Sequence, residues 1–278
     1  MPELPEVETI ARSLRQGGEG LAIVGRTFAR ADVRWARSIA MPEVAEFLQR
    51  IPGQKVLDVY RRGKFICLAL DRDTLIVHLR MSGDLRVDLD SKAHGPGDPA
   101  KDHVRVRFEF MDGLGLVFDD ARKFGRIWLA PDPALVTGRL GPEPLAADFR
   151  AAELYNRLQK THRMLKPLLL DQQFLAGLGN IYTDEALHLA KLNPARSADS
   201  LSVEQAERLW NAIRQVLQEG IRRNGASIDW VYRGGDFQNS FRVYRQTGKP
   251  CPVCGTPIER RVVGQRSTHI CPMCQPEG

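Results

Sequence analysis

Four cysteines constrain this chain more than any other feature. Cys251 and Cys254 form one Cys-x-x-Cys pair, and after sixteen residues Cys271 and Cys274 form another. Pairs at this spacing, each on a tight turn such as CPVCG or CPMCQ, bring four thiolates to one tetrahedral zinc ion. In a secreted module the same pattern forms two disulfides. The N-terminus, MPELPEVETIARS, opens with acids and has no long apolar stretch, so it does not read as a secretion signal, and zinc is the expectation. A site with four protein ligands leaves no position for water and is structural. It would pin the hairpin ERRVVGQRSTHI, which carries Arg260, Arg261 and Arg266. The fifth cysteine, Cys67, lies in the apolar run FICLAL and reads as a small buried hydrophobe.

The 278 residues suffice for about two ordinary domains. Three parts are expected: 1–140, 145–228 and 240–278. The first opens with one helix, in which Val7, Ile10, Ala11 and Leu14 recur at helical spacing before Gly17-Gly18 end it. Short β-rich runs follow, among them KVLDVYRRGKFICLAL, TLIVHLRMSG, DLRVDL, HVRVRFEF, GLGLVFDD and RIWLA. Their spacing suggests a sandwich or barrel. The second part is helical, with Ser202 ahead of Glu204 and Gln205 as an N-cap region and a tight turn at GLGN. The third is the cysteine-bearing module.

The net charge is +6 and the pI about 9.2. From Asn239 onward six basic residues face two acids, so +4 of the charge lies in the last part, which suits a polyanionic partner. No apolar run approaches the roughly 20 residues that span a bilayer. No membrane association and a cytoplasmic location are expected.

Two smaller features bear on chemistry. Removal of Met1 would expose Pro2 as a secondary amine beside Glu3. With an α-amino pKa near 8, roughly a tenth of it is neutral at pH 7, and a neutral amine attacks an electrophilic sugar carbon to give an iminium. A neighbouring carboxyl group shuttles protons. Proline near a helix start is also an ordinary initiating residue. DDARKFGR sets basic residues around an aromatic, which suits insertion into a base stack but equally a charged hairpin tip.

Taken together, these segments resemble the bacterial formamidopyrimidine-DNA glycosylases. The resemblance rests on MPELPEVET, RRGKF, HLRMSG, DDARKFG, LGPEPL, LKPLLLDQQFLAGLGNIYTDEAL and the tail FRVYRQTGKPCPVCGTPI…GQRSTHICPMCQ, in order along the chain. It implies an α+β multidomain protein: an N-terminal β-sandwich with a flanking helix, a helix–two-turns–helix domain and a C-terminal zinc finger, with double-stranded DNA in the cleft between. It implies excision of oxidised bases and cleavage of the abasic site by β/δ-elimination, by an enzyme acting as a monomer. Pro2 matches the nucleophile, Glu3 the general acid/base, Lys64 the proton donor of β-elimination, and Arg266 the phosphate-gripping arginine of δ-elimination. Asn180 and Lys166 match phosphate ligands. Met81, Arg122 and Phe124 match the side chains that fill the gap left by the flipped base.

Departures from the family pattern are few. DDARKFG lacks the usual proline at its third position. Lys101, in AKDHV, stands where the family often has a DNA-contacting histidine, and His103 two residues on is a further DNA-binding candidate. GASIDWVYRGGDF, from Gly225 to Phe237, is several residues shorter than the loop that closes over flipped 8-oxoguanine in the family, so formamidopyrimidines or hydantoins compete as preferred lesions. Two other readings compete: a DNA-binding homologue without catalysis, and a zinc-ribbon factor whose N-terminal motif is coincidental.

Overall fold

Alternating apolar and polar residues make one-faced strands, and such strands are stable only when their apolar faces are covered. The computed structural model, which describes residues 1–17, 21–88, 103–227 and 234–277, pairs them into two sheets. One has the order β1 (Phe28–Val33), β7 (Val104–Phe110), β8 (Gly115–Asp120), β6 (Gly83–Asp88). The other runs β2 (Ile39–Met41), β9 (Arg126–Ala130), β5 (Thr74–His78), β4 (Phe65–Leu70), β3 (Val56–Arg62). β7 buries every second residue, whereas β5 is buried throughout at the centre of its sheet. Phe108, Phe118 and Leu85 from the first sheet share one apolar core with Leu68, Val77 and Leu129 from the second. Val7, Ile10, Ala11 and Leu14 of helix α1 (Leu4–Gln16) and Phe47 of α2 (Val44–Arg50) complete it, and Cys67 is fully buried as expected. β1, β2 and α2 are elements the sequence reading did not single out. Their segments are short, and packing against the sandwich makes them regular.

This sandwich belongs to a compact unit built mainly of Glu6–Arg139. A second unit comprises chiefly Leu140–Ala226 and Gly235–Gly278, together with Glu3–Pro5. Helix α3 (Ala134–Thr137) closes the sandwich unit, and the helices of the second unit are α4 (Ala151–Leu158), α5 (Leu165–Leu170), α6 (Asn180–Ala190) and α7 (Val203–Arg222). Ser202 closes a capping box with Gln205 at the start of α7, each side chain bonding the other's backbone N–H. Leu209, Ile213, Val216 and Leu217 form the buried stripe of α7 that packs on α4 and α6. β10 (Glu259–Val263) and β11 (Arg266–Ile270) form the cysteine-flanked hairpin expected from the sequence.

Candidate active site and zinc site

Helix α6 organises the second unit. A helix start leaves backbone N–H groups without partners, and a side chain usually caps them. Here the preceding residue is Gly179, which has none. The Glu3 carboxylate takes its place, accepting N–H bonds from Gly179 at 2.8 Å, Ile181 at 2.9 Å and Tyr182 at 3.3 Å. Only a glycine admits this approach: a Cβ on Gly179 would lie 2.5 Å from Glu3 Oε1. Two residues earlier Gly177, at φ +94°, turns the chain so that its carbonyl accepts the Leu4 N–H at 3.0 Å. The GLGN turn is therefore a cradle for the residue next to Pro2. Glu3 is 3% exposed, and Pro2 is buried as well.

Further down α6 other side chains fix the rest of the unit. Asp184 accepts a 2.6 Å bond from Lys166 Nζ, and its second oxygen faces His269 N–H at 3.0 Å. Lys166 Nζ also donates to Ser267 O at 2.7 Å, and Asn180 Nδ2 reaches the same carbonyl at 3.0 Å. The pair carries no exposed surface, and burial pulls the Lys166 pKa down against the opposing pull of Asp184. The bonds to Asp184 and Ser267 O take two of the three N–H groups of the Lys166 ammonium. Asn180 is half-buried at the helix start, and Arg266, the residue before Ser267, is exposed. Glu185 accepts N–H bonds from Arg242, Val243 and Tyr244 at 2.8–3.0 Å. Burial raises its pKa, and these three bonds work against the rise. His188 Nε2 lies 3.3 Å from Cys251 Sγ. Sequence reasoning missed Asp184, Glu185 and His188. The available signal was an Asn, an Asp and a His at four-residue spacing in an apolar helix.

All five cysteines are free thiols. The Sγ atoms of Cys251, Cys254, Cys271 and Cys274 lie within 4.8 Å of one another, with neighbouring separations of 3.4, 3.6 and 3.9 Å. Tetrahedral zinc with bonds of about 2.3 Å requires sulfur separations of about 3.8 Å. A disulfide requires about 2.05 Å. The set fits one zinc ion, with backbone N–H groups of Val253 and Cys274 facing the sulfurs of Cys251 and Cys271 at 3.4 Å.

In the sandwich unit Lys64 is 5% exposed in the two-residue turn joining β3 to β4. His78, on the adjoining strand, is held neutral. Burial first, then the charges of Arg80 and Lys64, push its pKa down to about 3. Met81, Arg122 and Phe124 are exposed on two loops, the last two between β8 and β9. His103 is exposed beside β7, while Lys101 lies outside the described residues, as does 228–233 of the short loop.

Three family models match in order: the formamidopyrimidine-DNA glycosylase N-terminal domain at 1–127, the helix–two-turns–helix domain of the same family at 140–231, and the zinc finger found in these glycosylases and in isoleucyl-tRNA synthetases at 248–276. The chain belongs to the formamidopyrimidine-DNA glycosylase family. A formamidopyrimidine-DNA glycosylase of Pelotomaculum thermopropionicum is 45% identical over 99% of both chains. Among solved structures, MutM in complex with DNA containing carbocyclic 8-oxo-G matches with a TM-score of 0.87 and 34% identity over 99% of this chain and all of that one. The Lactococcus lactis Fpg with DNA containing an abasic site matches with a TM-score of 0.87 and 33% identity over the same shares. A family match across 1–127 leaves no room for a zinc-ribbon factor with a coincidental N-terminus. The fold class, the zinc site and the enzyme class expected from the sequence all stand. Among the described residues no helix is long and apolar enough to cross a membrane.

Proposed function

We propose that this chain is a base-excision repair enzyme, a DNA glycosylase and abasic-site lyase that removes oxidised bases from duplex DNA, with Pro2 as its nucleophile. The observation that carries the reading is the Glu3 clamp: a buried carboxylate, next in sequence to Pro2, fixed by three N–H donors at a helix start. A target atom inside a duplex is out of reach, so the nucleotide must leave the stack. Met81, Arg122 and Phe124 fill the gap. With Met1 removed, the Pro2 nitrogen attacks C1′, the bond to the base breaks, and the base leaves with a proton. The Glu3 carboxylate then takes the proton that the Pro2 nitrogen sheds and passes it to the ring oxygen, so that opening of the sugar ring gives the iminium. Loss of a C2′ proton expels the 3′ phosphate, the step in which Lys64 is the proton donor, and a second elimination expels the 5′ phosphate.

Asn180 and Arg266 grip phosphate, and Lys166 fixes both through Ser267 O. The zinc ion closes the cysteine module and holds Arg266 in place. His103, and Lys101 where it stands in the sequence, add phosphate contacts that carry no sequence information. The protein acts as a monomer in the cytoplasm, where bacterial DNA lies. The test is strand scission on matched duplexes with formamidopyrimidine, 8-oxoguanine, a hydantoin or no lesion. Scission confined to lesion strands, with phosphate on both new ends, is expected. Normal DNA binding without scission on any of them would favour the non-catalytic homologue instead.

A further inference from the structure

The exposed apolar side chains of the sandwich unit point to two residues outside the site described above. Met81 is 43% exposed and Phe124 is 52% exposed. They stand on separate loops, 79–82 after β5 and 121–125 after β8. Exposed loops with large apolar tips are ordinarily free to move, and a moving tip makes a poor wedge. These two loops are tied down, and one carboxylate accepts bonds from both.

Asp120 has no exposed surface. Its Oδ1 accepts the Ser82 hydroxyl at 2.5 Å and the Arg122 N–H at 3.2 Å, and its Oδ2 accepts the Gly125 N–H at 2.6 Å. Its backbone carbonyl accepts from Lys123 N–H at 3.3 Å and Arg105 Nε at 2.8 Å. The Ser82 oxygen in turn accepts the Arg122 N–H at 3.3 Å. Ser82 follows Met81 in the chain, so this hydroxyl ties the Met81 loop to the loop of Arg122 and Phe124, beside the strand pairing of Gly83 with Asp120. Each loop also carries a non-glycine residue in the left-handed region, Arg80 at φ +54° and Lys123 at φ +61°. Such residues persist only where surrounding contacts over-determine them. His78 Nδ1 accepts the Arg80 N–H at 2.9 Å, and Lys123 Nζ sits 4.3 Å from the centre of the Trp35 ring.

We propose that Ser82 and Asp120 are positioning residues that lock Met81, Arg122 and Phe124 into one rigid wedge, so that all three enter the DNA gap together. The inference rests on the glycosylase reading. Filling the gap offsets the unstacking cost only if the inserted groups arrive already ordered, because ordering them on contact subtracts from the gain. A single-stranded abasic site has no stack to fill, so the wedge does nothing for it.

The experiment uses the zinc-loaded full chain and its Ser82→Ala, Asp120→Asn and Phe124→Ala variants. Single-turnover excision from a duplex with one 8-oxoguanine paired to cytosine is compared with strand cleavage at an abasic site in single-stranded DNA. Ser82→Ala removes one hydroxyl and keeps the buried carboxylate, so it reports even if Asp120→Asn unfolds. The duplex rate of Ser82→Ala is expected to fall about tenfold, within the loss that misplacement by an ångström produces. The single-strand rate is expected to stay within about twofold, the ordinary scatter of an untouched site. Ser82→Ala placed on Phe124→Ala is expected to add little, because partners in one unit are not additive. The proposal fails if the duplex rate of Ser82→Ala matches wild type. It fails too if both rates drop together with the melting temperature, or if the two substitutions multiply. Wild-type protein inert on both substrates would instead overturn the glycosylase reading itself.

Discussion

Gly179→Ala tests the Glu3 clamp through a single methyl group. The backbone at Gly179 has φ −129° and ψ −161°, an extended conformation that alanine adopts without strain. Any effect therefore comes from the new Cβ, which would lie 2.5 Å from Glu3 Oε1 and 2.6 Å from Glu3 Cγ. Carbon contacts settle near 3.5–4.0 Å, so the carboxylate must retreat by about 1 Å. The bonds from Gly179 and Ile181, now 2.8 and 2.9 Å, would stretch beyond hydrogen-bonding range. Two bonds to a charged group contribute about 1.5–3 kcal/mol each. Partial recovery by water leaves a net cost of about 2–4 kcal/mol, which lowers Tm by roughly 5–10 °C in a chain of this size. An acid/base group displaced by an ångström also costs about 100-fold in rate. Single-turnover excision and thermal unfolding at pH 7 measure both. Wild-type rate and Tm in Gly179→Ala would refute the idea that the clamp positions Glu3.

Other expectations follow from the same geometry. Lys166→Ala leaves Asp184 buried without its partner and is expected to cost about 3–5 kcal/mol. Replacing both residues by apolar ones of similar size is expected to cost less, and urea unfolding ranks the two variants. The folded-state pKa of His78, about 3, lies below its ordinary value of 6.5. Between these values the unfolded chain binds a proton that the native protein refuses, so stability falls as pH drops through that window. The slope is up to about 1.4 kcal/mol per pH unit. His78→Asn is expected to flatten the wild-type stability curve between pH 4 and 6.5, as read by denaturant unfolding. Cys254→Ser is expected to weaken zinc retention against a chelator, read by a colorimetric zinc indicator, and to lower duplex affinity with it. A variant that holds zinc as wild type does would remove Cys254 from the ligand set.

Much of this was legible in the chain itself. The zinc ligands were, because metal coordination fixes both residue type and spacing. The apolar stripe of α1 and the capping box at Ser202 were, because both are set within one or two helical turns. β1 and β2 were not, since short edge segments such as FARADV carry little alternation of their own and become strands through pairing with β7 and β9. The supporting acids escaped for the same reason. Asp120 and Asp184 look like surface carboxylates until the fold brings their donors from 38 and 18 residues away, Ser82 and Lys166. Lys166 shows the converse. The resemblance marks it as a phosphate ligand, and only the packing reveals that Asp184 and Ser267 O take two of its three N–H groups.

The central claim is the covalent role of Pro2, and borohydride trapping tests it directly. The protein is incubated with a lesion duplex, reduced, digested and analysed by peptide mass. A stable adduct on the N-terminal peptide beginning at Pro2, absent from Pro2→Gly, is the predicted result. Excision that proceeds with no trapped adduct, or with the adduct on a lysine, would contradict the account.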